Sequence, residues 1–161
     1  MSELNNDPWQ VFNYEIQMYF ETRIRLKHLK TDGRDSRVMV IKNALTESLV
    51  LHTRIMVDIL ISKGSGNDDI TLKDLLPDWP QSEIGRQMIG ELKSAYGKSD
   101  IQNSPCWVFN KMLAHPTRWR ADSYNYFPAL KQIEHHVLSI LREIEKIRSM
   151  SILQYYLAQY W

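Results

Sequence analysis

The chain has 161 residues and a formal net charge of +1, with 24% charged and 43% hydrophobic residues. That length fits one domain spanning 1–161, and a chain of this size buries roughly 70% of its unfolded surface, so it needs no covalent staples. The near-neutral balance lacks the basic excess of a dedicated duplex binder. The single cysteine, Cys106, excludes an internal disulfide framework and a cysteine-based zinc site of the usual spacing, and it fits a reducing, cytoplasmic setting.

The opening MSELNNDPWQ is polar and acidic, so no signal peptide is expected. Apolar residues then recur at Trp9, Phe12, Ile16, Tyr19, Phe20 and Leu26 with charges between them, a period of 3.6 that predicts a first helix over about 8–30. Pro8 suits its first turn. Residues 23–37 gather Arg23, Arg25, Lys27, Lys30, Arg34 and Arg37 against Asp32 and Asp35, and are read as a solvated helix end and the turn at Asp32-Gly33. Asp35 or Ser36 can cap a second helix, which runs to about Ser62, where GSGNDD breaks it.

Apolar residues cover most of the second helix's circumference: Val38, Ile41, Leu45, Leu49, Ile55 and Ile59 on one side, and Val40, Val50, Leu51, Val57 and Ile61 elsewhere. Such a pattern predicts a central, buried helix. Lys42, Glu47, His52, Arg54 and Asp58 interrupt it, so no membrane span is expected. Residues 64–81 read as an elaborated loop with a short helical turn at 72–76, and Pro77 and Pro80 bracket Asp78-Trp79. A third helix is predicted over about 81–96, ended by Gly97. Ser104-Pro105 signals the start of a fourth, which runs to His115 and stops at Pro116.

Residues 116–127 are irregular, basic and aromatic. A fifth helix begins near Pro128 with Ile133, Val137, Ile140, Ile144 and Ile147 at helical spacing. The tail SILQYYLAQYW predicts one more helix, docked on the bundle or on a partner chain. No segment alternates as a strand does and no internal repeat is visible. The fold class is therefore all-α, a bundle of about five main helices.

Two polar groupings stand out against this apolar background. On the second helix, Glu47, Leu51, Arg54 and Asp58 fall at steps of four, three and four, so they share one stripe on which Arg54 and Asp58 can pair. Ser48 and His52 sit on another. These residues either form a solvated or self-satisfied polar edge or line a cleft with the end of the fourth helix. On the fourth helix, Lys111 and His115 are neighbours four apart. The helix dipole favours a charged His115 and Lys111 opposes it, a setting in which an imidazole can serve as an acid or base. Its alternative role is simply to end the helix. Adjacent His135 and His136 point different ways and are poor ligands for one metal. No phosphate-binding loop, nucleophile elbow or HExxH is present, and neither metal nor cofactor is expected.

The stretches NALTESLVLHTRIMVDIL (43–60) and NKMLAHPTRWR (110–120) together resemble small bacterial α-helical proteins related to the HEPN superfamily. The likeness covers about the middle two-thirds of the chain. It implies a helical bundle that commonly dimerises and that often serves in toxin–antitoxin, abortive-infection or RNA-processing systems, with a partner protein from the same operon. Active members are metal-independent endoribonucleases whose motif is an arginine, a polar residue and, four to six residues on, a histidine.

Carried onto this chain, the motif histidine is His115, the polar position is Lys111, and the arginine position is held by Asn110, which carries no charge. Arg118 or Arg120, or Arg54 from the second helix, would have to supply the cation. His115 would then act as acid or base on a ribose 2′-hydroxyl, with Arg120 or Lys111 stabilising charge on phosphorus and Glu47 and His52 in support. Two other functions compete with RNA cleavage or binding. One is a non-catalytic helical interaction module, as a homodimer or an antitoxin-like partner. The other is a small-ligand pocket between the second and fourth helices.

Overall fold

A computed structural model of the chain describes residues 7–29, 36–63, 66, 68–114 and 125–159. Within them the helices run α1 (Pro8–His28), α2 (Ser36–Leu60), α3 (Leu72–Leu75), α4 (Glu83–Tyr96), α5 (Pro105–Ala114), α6 (Phe127–Arg148) and α7 (Ser151–Ala158), with a 3₁₀ turn at Trp79–Gln81 before α4. Among the described residues there is no strand, and no helix is long and apolar enough to cross a membrane. The five long helices and the tail helix stand where the apolar period places them. The Asp32-Gly33 turn and the stop at Pro116 lie outside the described residues.

Local chemistry sets the helix starts. The Asp7 carboxylate accepts from the Trp9 N–H at 3.0 Å, and Pro8 needs no donor of its own at the first position. Ser82 caps α4 by accepting from the Gly85 N–H at 3.0 Å. Gly85 must lack a side chain here, since a Cβ would lie 2.1 Å from the Trp79 carbonyl oxygen. Gly97 ends α4 with φ +72°, a left-handed conformation that glycine adopts without steric cost. A Cβ at that position would fall 2.8 Å from Ser104 Cβ. The end of α4 and the cap of α5 are therefore in contact, with Ser104 Oγ accepting from the Trp107 N–H and donating to the Lys98 carbonyl.

The core is built from one face of each long helix: Phe12, Ile16 and Phe20 of α1, Leu49, Met56 and Leu60 of α2, and Ile133, Ile140 and Ile144 of α6. Polar ties lock the layers. Arg23 of α1 pairs with Glu134 of α6, and Gln132 of α6 donates to the Ala95 carbonyl of α4 at 3.1 Å. The aromatic tail docks on the bundle. Tyr156 stacks on Phe20 with centroids 4.8 Å apart and planes 7° from parallel, and its hydroxyl donates to Glu21 at 2.8 Å.

The second helix departs from its expected burial. Its fully buried residues begin at Leu49, whereas none from Ser36 to Ser48 is fully buried. The end of α1 that runs beside this first half carries Arg25, Lys27 and His28, polar residues that leave its own last turn open to water. Apolar composition around the whole circumference marked a helix able to be covered on every side. In this chain full burial begins only in the second half, and even there Leu51 stays exposed.

Candidate functional site

The described residues among those expected to act together separate into distinct places. Glu47 is exposed on α2. Arg54, two turns on, is half-buried, and its Nε lies 3.8 Å from Asp58 Oδ2, so the expected pair within the helix forms at long range. His52 turns into the protein. Its Nδ1 is 2.7 Å from Glu15 Oε2 of α1, and the Tyr14 ring meets its imidazole edge-on at 5.7 Å. On α5, Asn110 donates through Nδ2 to Cys106 Sγ at 3.4 Å, while Lys111 is exposed. His115, Arg118 and Arg120 lie outside the described residues.

Arg54 and Asn110 belong instead to a polar cluster where α2, α4 and α5 meet. Lys63, just past α2, donates to Cys106 Sγ at 3.8 Å, stands 3.6 Å from Asp58 Oδ1 and lies 5.8 Å from the centre of the Tyr96 ring. Burial pushes Asp58 above the ordinary carboxylate value of 3.8, with the nearby cations Lys63 and Arg54 pulling the other way. Burial, followed by the neighbouring Asp58 and Cys106, also pushes the Tyr96 hydroxyl well above its usual 10.0. At neutral pH Tyr96 is therefore a phenol and not a phenolate.

A cleft of about 420 Å³ opens beside the cluster, lined in part by Arg54, Asp58, Lys63, Asp68 and Asp69. Cys106 itself is buried and out of reach of a substrate. Lys63 ties the end of α2 to α4 through the Tyr96 ring and to α5 through Cys106, while Asp58 is held between Lys63 and Arg54 of its own segment. The sequence signalled only its Arg54–Asp58 step. Lys63, Tyr96 and Cys106 come together through tertiary packing and share no spacing that could have pointed to them.

A different feature is the set of apolar side chains that α2 leaves exposed. Val40 is 67% exposed, Ile41 49%, Leu51 44% and Met39 41%. Arg37, Val40, Ala44, Glu47 and Leu51 are all exposed and follow one another at steps of three, four, three and four, the spacing of a helix-pairing seam. Among the described residues no group of three or more His, Cys, Asp and Glu side chains is placed to hold a metal ion. Comparison with protein-family models, curated proteins and solved structures finds no match.

Proposed function

We propose that this protein is a helical interaction module that pairs with a second copy of itself through the exposed face of α2. The observation that carries this reading is the exposed row Arg37, Val40, Ala44, Glu47 and Leu51 along one side of a 25-residue helix, on which Val40 and Leu51 are large apolar side chains open to water. Burying one such side chain fully is worth about 1.5–3 kcal/mol, so covering Val40 and Leu51 on the same side of the helix favours a partner. A second copy suits the face because the face is complementary to itself. In an antiparallel crossing at Ala44, the small side chain lets the helices approach closely. Arg37 of one copy then comes within about 6 Å, along the axis, of Glu47 on the other. A cysteine at the crossing tests this. Ala44→Cys is expected to give a covalent dimer under mild oxidation, and Gln17→Cys, on the exposed face of α1, is not. Equal cross-linking of both variants would contradict the pairing.

The second reading is the metal-independent RNA cleavage implied by the HEPN resemblance, with His115 as acid or base. One observation favours it: Lys111 is exposed in the last described turn of α5, four residues before His115. The basic groups of 110–120 would then be presented at the surface by a well-anchored helix.

A further inference from the structure

A further cavity lies away from the polar cluster and from the pairing face. It lies where the last turns of α1 and the first half of α2 meet the start of α6 and the end of α7, and its volume is about 550 Å³. That is within the 300–1,000 Å³ range of small-molecule pockets.

Its charged lining has one sign. Arg23, Lys27 and His28 come from the last turns of α1 and Lys42 comes from α2, while none of the described lining residues is acidic. Arg23 is held in place by Glu134, which does not line the cavity. The start of α6 adds to this field. Phe127 at its first position lines the cavity, and the first turn carries no acidic residue to offset the positive end of the helix dipole.

The remaining walls are apolar apart from Gln159, and consist of Ile24, Leu26, Leu49 and Phe127. A basic rim over an apolar floor suits a ligand with the same two parts. A polyanionic backbone would satisfy the rim and leave the floor wet. A neutral hydrocarbon would fill the floor and give Lys27 and Lys42 no counter-charge.

We propose that this cavity binds a small amphipathic anion, a carboxylate head on an apolar chain. The head sits among Arg23, Lys27 and Lys42, and the chain lies against Leu26, Leu49 and Phe127. Desolvated charge-assisted contacts to the head give selectivity, and burial of the chain gives affinity.

Calorimetric titration of the full-length protein with decanoate, decanol and decyltrimethylammonium tests the proposal. Decanoate is expected to bind one per chain, at least tenfold tighter than decanol, with no binding of the cation. Lys27→Ala combined with Lys42→Ala should weaken decanoate at least tenfold while leaving decanol and the circular dichroism spectrum unchanged. Lys27→Glu, at an exposed position, serves as a second variant with the same expected direction. Three results would overturn the proposal. They are equal affinity for decanoate and decanol, decanoate affinity unchanged in both variants, and binding to anionic phospholipid vesicles with none to decanoate below its micelle concentration.

Discussion

Glu15 and His52, 37 residues apart in sequence, meet inside the protein at 2.7 Å, with 5% and 7% of their surfaces exposed. They join α1 to α2 at the point where α2 passes from its open half to its buried half. Removing one partner strands the other in a dry setting, at a cost of about 1–3 kcal/mol. Glu15→Ala and His52→Ala are each expected to destabilise by that amount in urea unfolding. The double variant should lose at least about 0.5 kcal/mol less than the sum. Strict additivity would show that the two side chains do not act as a pair.

Tyr156 fastens the tail. Burial and the Glu21 carboxylate push its hydroxyl up to about 12, so it remains a donor across the ordinary pH range. Tyr156→Phe keeps the stacking on Phe20 and loses only the hydrogen bond, about 1 kcal/mol. Tyr156→Ala opens a cavity beside Phe20 and should cost about 3–5 kcal/mol. Thermal melting of the two variants distinguishes a docked tail from a loose one, in which both changes would be near neutral.

Asp58 gives a pH dependence whose sign follows from its raised value. A carboxyl whose folded value exceeds its unfolded value binds its proton more tightly in the folded state. Its contribution is therefore fully favourable below about the ordinary 3.8 and is lost as pH rises through the higher folded value. Asp58→Asn, which is uncharged throughout, should melt at or above the wild-type temperature at pH 7. That advantage should shrink as the pH is lowered toward 3.8. A variant that is less stable at pH 7 and gains relative to wild type in acid would reverse the sign and show that Arg54 and Lys63 outweigh burial.

The helices were legible because each repeats an apolar residue every three or four positions and several are bounded by recognisable chemistry: Pro8, Gly97 and Ser104-Pro105. The extent of burial along α2 was not. Composition around a helix reports which faces can be covered, and only the placement of the other helices decides which are. His52 illustrates the same limit. Its position on α2 was visible, but Glu15 is on another helix and no local spacing links the two. The Lys63, Tyr96 and Cys106 grouping draws on three segments and carried no sequence signal. Of the expected site, the Arg54–Asp58 pair was readable because both residues lie on one helix, four apart.

The RNA-cleaving reading makes a separate prediction. If the HEPN resemblance extends to activity, the pure protein should cleave mixed single-stranded and structured RNA with EDTA present, and His115→Ala should abolish cleavage. Asn110→Ala should have little effect on it, because the Asn110 amide is engaged with Cys106 Sγ. Cleavage that survives His115→Ala would remove this reading. Absence of cleavage by the wild type would leave the interaction module as the function.

Pairing through α2 is tested most directly by the mass of the protein in solution. Light scattering across a range of concentrations should give twice the 19.0 kDa chain mass for the wild type. Val40→Glu, which places a charge in the centre of the exposed face without touching the core, should return the single-chain mass with an unchanged helical spectrum. A wild type that stays at 19.0 kDa at every concentration, or a dimer that survives Val40→Glu and Leu51→Lys together, would contradict the pairing of α2 with a second copy.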